Sequence, residues 1–175
     1  MRVKHLRYWV EQTIALSELS ECVRAKFGCL IVDPETNCVL VNGYNGGARG
    51  GDRLCGGESC LRNIQRIESG KQNDIGCNHA EANAIVNSAR LGISIEGKWL
   101  FVNGAPCINC AKLITQSGIA RVIYLETSDR SNDGIAYLLK NRVSMFPVSL
   151  GDESSLRSVL QPVFKEVNIE RSPFK

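Results

Sequence analysis

From residue 79 onward, short apolar runs alternate with helix-like segments, and this alternation constrains the fold more than any other feature of the chain. "KWLFVN" (98–103), "ARVIYLE" (120–126) and "VSMFPVS" (143–149) read as strands with apolar residues on both faces. Between and beyond them, helices are expected over about 79–91, 107–116, 133–142 and 153–161, with Gly92 and Ser117-Gly118 as stops. Strands that are apolar throughout are buried on both sides, so the pattern implies a sheet covered by helices on two faces. Upstream, "MRVKHLRYWVEQTIALSELSEC" reads as a helix that packs through Leu6, Trp9, Ile14, Leu16 and Leu19. Strands follow at 27–32 and 38–42, joined by a turn at Asp33-Pro34-Glu35-Thr36-Asn37. Cys29 and Cys38 fall inside these apolar runs and are expected to be small core residues.

A chain of 175 residues, 43% of them apolar, suits one domain over 1–175 with a proper core. Residues 43–78 break the pattern. They are long and glycine-rich for a connection inside a compact domain, and three cysteines in them suggest a loop that is tied down. We treat about 47–78 as an insertion, with a short helix around 61–67. Net charge is only +3 and aromatic content 6%, which argues against a polynucleotide substrate that needs a basic track with stacking platforms. Arg49, Arg53, Arg62, Arg66 and Lys71 are read as a solvated loop face. The N-terminus is too charged for a signal peptide or a membrane span, so a cytoplasmic protein with no membrane partner is expected. Eight cysteines without a secretory signal then point to metal binding or catalysis rather than disulfides.

The chemistry concentrates in "CNHAEANAI" (77–85) and "PCINC" (106–110). Pro106 suits a helix start, and Cys107 and Cys110 share one face of its first turn, where unpaired N–H groups and the helix dipole favour thiolate. Two cysteines alone also fit a redox dithiol. Joined to His79 they form a His/Cys/Cys set that leaves a fourth position open for water, as catalytic zinc requires. Glu81 lies two residues past His79, about 200° round a regular helix. A site at the helix's N-terminal end accommodates both, with His79 on the metal and Glu81 as proton carrier.

This H-x-E…P-C-x-x-C spacing is similar to that of zinc nucleobase deaminases. The match is wider than the zinc motif. "SECVRAKFG", "GYNGG", "CGGESCLRN…SG…C", "HAEANAI", "SARLGISIEG" and "FVNGAPCINCAKLITQSGIARVIY", over roughly 17–126, resemble the deoxycytidylate (dCMP) deaminases of the cytidine deaminase-like superfamily. The resemblance implies a three-layer αβα sandwich with a five-stranded mixed sheet, and zinc-dependent hydrolysis of dCMP to dUMP, feeding thymidylate synthesis. It implies a sugar contact from Asn45, a 5′-phosphate contact from Ser20 and Arg24, and Ala80 among the substrate-binding residues. Asn83 would contact substrate or brace the site. It further implies a homohexamer controlled by dCTP and dTTP, with Tyr44 and Asn45 near the effector.

Members often carry a second zinc in the inserted region, with mixed ligands. For this chain we expect an all-cysteine set, Cys22, Cys55, Cys60 and Cys77, giving one catalytic and one structural zinc. Two departures stand out. Ser128 replaces a tyrosine common on the phosphate side, and "VNGAPC", with Asn103 and Ala105, replaces "VTxxPC". These imply a roomier pocket and leave open another or a modified cytosine nucleotide. The rival readings are a tRNA or single-stranded DNA deaminase and a non-catalytic zinc module. Retained Glu81 argues against the latter, since a structural zinc site needs no proton carrier.

Overall fold

The computed structural model describes residues 1–50, 60–68, 75–126 and 133–161. The element order is α1 (Val3–Ser17), β1 (Gly28–Asp33), β2 (Cys38–Tyr44), α2 (Leu61–Ile64), α3 (Ala80–Leu91), β3 (Trp99–Val102), α4 (Ile108–Gln116), β4 (Arg121–Leu125), α5 (Asp133–Lys140), β5 (Ser144–Val148) and α6 (Glu153–Ser158). The five strands form one mixed sheet in the order β2-β1-β3-β4-β5. β1 runs antiparallel to both β2 and β3, whereas β3, β4 and β5 are mutually parallel. Each parallel step is bridged by a helix, as parallel pairing requires.

The continuous apolar strands serve two cores at once. Cys29, Ile31, Leu100, Val102, Val122 and Tyr124 face one side, where they meet Ala80 and Ala84 of α3, Ala111 and Ile114 of α4, and Leu138 of α5. Leu30, Val32, Phe101, Ile123 and Val148 face the other, against Leu6 and Val10 of α1 and Leu156 of α6. Successive strand side chains point to opposite faces, so neither face can be polar. The result is the expected three-layer αβα sandwich. Among the described residues, no helix is long and apolar enough to cross a membrane.

Cys29 is fully buried, as expected, but Cys38 is exposed. It is the first residue of β2, an edge strand, and emerges directly from the turn. Its thiol lies 3.7 Å from the Thr36 carbonyl. Apolar neighbours in sequence did not imply apolar neighbours in space there.

α3 sits unusually close to β2. A Cβ on Gly43 would lie 2.5 Å from both the Ala80 carbonyl oxygen and the Ala84 nitrogen. Asn83 Nδ2 donates to the Tyr44 carbonyl at 2.8 Å, and Asn87 Nδ2 to that of Asn42 at 3.0 Å. These contacts fix the helix that carries the HAE motif against the sheet.

Candidate metal centre and active site

β1 begins where β2 and β3 end: Gly28 pairs with Tyr44, and Cys29 with Val102. The loops beyond these residues therefore gather at one end of the sheet. A two-residue bridge extends this grouping, with Asn78 N donating to Gly46 O at 2.8 Å and Gly46 N to Asn78 O at 3.1 Å. It delivers the chain to His79, the N-cap of α3, in extended conformation. Cys107 is likewise the extended N-cap of α4, and Cys110 lies in that helix's first turn.

Two helix N-termini thus converge. His79 Nδ1 lies 3.4 Å from Cys107 Sγ and 3.4 Å from Cys110 Sγ. The three ligand atoms all fall within 4.8 Å of one another, the one such group among the described residues. Tetrahedral zinc with ordinary Zn–N and Zn–S bonds would hold N and S about 3.6 Å apart. The donor set and its spacing therefore fit zinc, with one coordination position left to a non-protein ligand.

The site's electrostatics follow from this crowding. The Cys107 thiol is lowered to about 3, chiefly because the Cys110 thiol hydrogen-bonds to it and His79 assists, against the effect of burial. Cys110 is pushed up as donor in that bond, with burial and the Glu81 charge adding to the effect. Cys29 is also raised, first by burial and then by Glu81. Glu81 itself is 5% exposed, in the first turn of α3. Because His79 caps the helix and lies outside its regular turns, the 200° separation of a continuous helix does not apply. The Glu81 carboxylate is close enough to Cys110 to help push that thiol up.

Beside this centre, Ser20 and Asn45 share one hydrogen-bond network. Ser20 Oγ donates to Asn45 O at 2.7 Å and accepts from Cys22 N at 3.2 Å. Asn45 Oδ1 accepts from Phe27 N at 2.7 Å, while its Nδ2 donates to Ala25 O at 2.9 Å and approaches Cys77 Sγ at 3.9 Å. Arg24 Nη1 donates to Ile67 O at 2.7 Å. Ala80, the first residue of α3, is fully buried, and Tyr44 is exposed at the end of β2. Asn83 Nδ2 is engaged by the Tyr44 carbonyl.

Cys60 is buried, and Cys22 and Cys77 are half-buried. These three thiols do not close to metal-ligand spacing. Cys55 and Ser128 lie outside the described residues.

Two framework residues were not legible from sequence. Asn103 Oδ1 accepts from Gly28 N at 2.9 Å and its Nδ2 donates to Lys26 O at 3.1 Å, so it stitches the exit of β3 to the entry of β1. The ring of Phe27 lies over Gly104, where an added Cβ would come within 2.8 Å of Cε1. Glycine at 104 makes room for this ring. The departure at 103–105 was the available signal, but a single chain does not say which distant residue fills the space.

Comparisons with known proteins agree with this geometry. The family model described as the cytidine and deoxycytidylate deaminase zinc-binding region matches residues 3–126. The chain is 49% identical over 63 residues to the deoxycytidylate deaminase of enterobacteria phage T2, a match that covers 36% of this chain and spans about a third, 34%, of that relative's length. It is 35% identical over 146 residues to a probable deoxycytidylate deaminase of Drosophila melanogaster, covering 80% of this chain and 69% of the relative. The dCMP deaminase of cyanophage S-TIM5, solved in complex with dCMP and dUMP, superposes with a TM-score of 0.68 at 29% identity, over 85% of this chain and 99% of that one. With a His/Cys/Cys group that fits zinc assembled at two helix starts and the family model matching residues 3–126, the chain belongs to the cytidine and deoxycytidylate deaminase zinc-binding family.

Proposed function

We propose that this protein hydrolytically deaminates dCMP to dUMP, releasing ammonia. The observation that carries the reading is buried Glu81 beside the His79/Cys107/Cys110 group, a proton carrier next to a three-ligand metal site. His79, Cys107 and Cys110 would hold zinc, which when bound lowers the pKa of its water from 15.7 toward roughly 7 and so supplies a nucleophile at neutral pH. Glu81 would carry the water's two protons in turn, the first from the attacking water to the ring nitrogen and the second from the hydroxyl of the addition product to the amino group, which leaves as ammonia while the carbonyl forms. Burial of the carboxylate keeps bulk water from competing for that proton. Ala80 and the 103–105 segment flank the base, and Asn45, Ser20 and Arg24 face the sugar and 5′-phosphate. The support for this placement is the Ser20–Asn45 hydrogen-bond network, which adjoins the Gly46–Asn78 bridge that leads to His79, and the place of Arg24 next to Ala25, whose carbonyl Asn45 Nδ2 holds.

Further proposals extend the reading. A second, structural zinc on Cys22, Cys55, Cys60 and Cys77 follows the family resemblance and the count of four cysteines left outside the strands and the catalytic set. Control by dCTP and dTTP at Tyr44 and Asn45, in a cytoplasmic homohexamer, follows the family resemblance. The test of the main reading is a panel of free cytosine nucleosides and nucleotides, followed by ultraviolet loss. Turnover of dCMP ahead of deoxycytidine and dCTP is the expected result. Turnover only of tRNA or single-stranded DNA, or no turnover by zinc-replete protein, would reject it.

A further inference from the structure

We propose that the 60–68 segment aims Arg24 at the substrate's 5′-phosphate, with Asn63 as the positioning residue; the inference rests on the phosphate role given to Arg24 above. Arg24 sits in the connection between α1 and β1 and reaches across to a segment about forty residues away. Nη1 donates to Ile67 O at 2.7 Å and to Asn63 Oδ1 at 3.3 Å. Both bonds leave from the same terminal nitrogen. A guanidinium has five N–H donors in a planar fork, and the edge formed by Nε and Nη2 carries two parallel N–H groups matched to the oxygens of a phosphate. Among the described residues that edge makes no hydrogen bond. Fixing Nη1 therefore fixes the plane and direction of the free edge.

The anchor points are themselves held. Asn63 N and Ile64 N donate to Cys60 O at 2.9 and 3.0 Å, Arg66 N to Asn63 O at 3.0 Å, and Ile67 N to Arg62 O at 2.8 Å. This continuous turn presents Asn63 Oδ1 and Ile67 O on one side, and buried Cys60 roots it. At the other end, Asn45 Nδ2 holds the carbonyl of Ala25, next to Arg24, and Asn45 adjoins the bridge that places His79. The guanidinium is thus registered to the metal centre through one route and aimed through another. A long side chain oriented before binding loses less rotamer freedom when phosphate arrives, so the arrangement acts on affinity rather than on the chemical step. It also gives the glycine-rich insertion a purpose that touches neither the metal nor the base.

The experiment compares dCMP with deoxycytidine as substrates for wild type, Arg24→Ala, Asn63→Ala and Asn63→Asp, with calorimetric affinity for dUMP against deoxyuridine as a readout independent of turnover. Asn63→Ala is expected to raise KM for dCMP about tenfold with kcat unchanged. It should weaken dUMP binding in proportion and leave both nucleosides unaffected. Asn63→Asp, which keeps the acceptor and adds charge, should restore dCMP affinity. Loss of phosphate selectivity in Arg24→Ala but not in Asn63→Ala would overturn this inference and leave the role of Arg24 standing. Equal losses for nucleotide and nucleoside in Asn63→Ala would overturn it too, since a purely structural defect acts on both. Unchanged selectivity in Arg24→Ala would reject the phosphate role itself, and the inference with it.

Discussion

Phe27 and Gly104 show how one residue's identity is set by another's. The ring of Phe27 occupies the space that a side chain at 104 would take. Cavity and overpacking costs at such contacts are of the order of 1–3 kcal/mol. Gly104→Leu should therefore destabilise the protein by roughly 1–3 kcal/mol, and Phe27→Val in the same chain should recover most of the loss. Denaturant unfolding of the two single variants and the double variant checks this. Additive losses would show that the two side chains do not share the space. The grouping of His79, Cys107 and Cys110 was legible from sequence, because HAE and PCINC each lie at a helix start and each fixes its own local geometry. Phe27 and Asn103 were not, because their roles depend on the register between β1 and β3, which no local pattern encodes.

Among the elements, α3 matters most, since its N-cap is His79 and its first turn carries Glu81. Its seat on β2 depends on Gly43. A methyl group there would meet backbone atoms of α3 at 2.5 Å, and these cannot rotate aside. Gly43→Ala should push α3 off the sheet, lowering thermal stability and zinc content together, both measured on one preparation by circular dichroism and metal analysis. Full zinc and unchanged stability would refute the packing account. Strands and helices were readable because apolar periodicity survives in each of them. β2 was the least regular, and the exposure of Cys38 is its consequence: at a sheet edge one side of the strand has nothing to pack against. The 61–67 helix was also readable, although its observed extent is the single turn Leu61–Ile64.

The whole molecule is a sheet whose two apolar cores make a rigid platform, with the chemistry confined to one end. Three routes lead there: the N-caps of α3 and α4, the Asn45 network, and Arg24 with the 60–68 segment. The third route passes through the cysteine-bearing insertion. If a second zinc orders that region, zinc-replete protein should contain two zinc per chain, falling to one in Cys55→Ser/Cys60→Ser with a lower melting temperature. One zinc per chain in the replete wild type would remove the second site and leave the first intact.

The central claim is that Glu81 carries protons at a zinc site built from His79, Cys107 and Cys110, and Glu81→Gln isolates it. The substitution keeps size and all three ligand atoms while removing the base. Proton-transfer catalysis by a placed side chain is typically worth about 10²–10⁴-fold. Purified Glu81→Gln protein, assayed with dCMP alongside its zinc content and melting temperature, should keep the catalytic zinc and the fold while kcat drops by about that factor. Turnover near that of the wild type, in a variant that retains its zinc, would contradict the account.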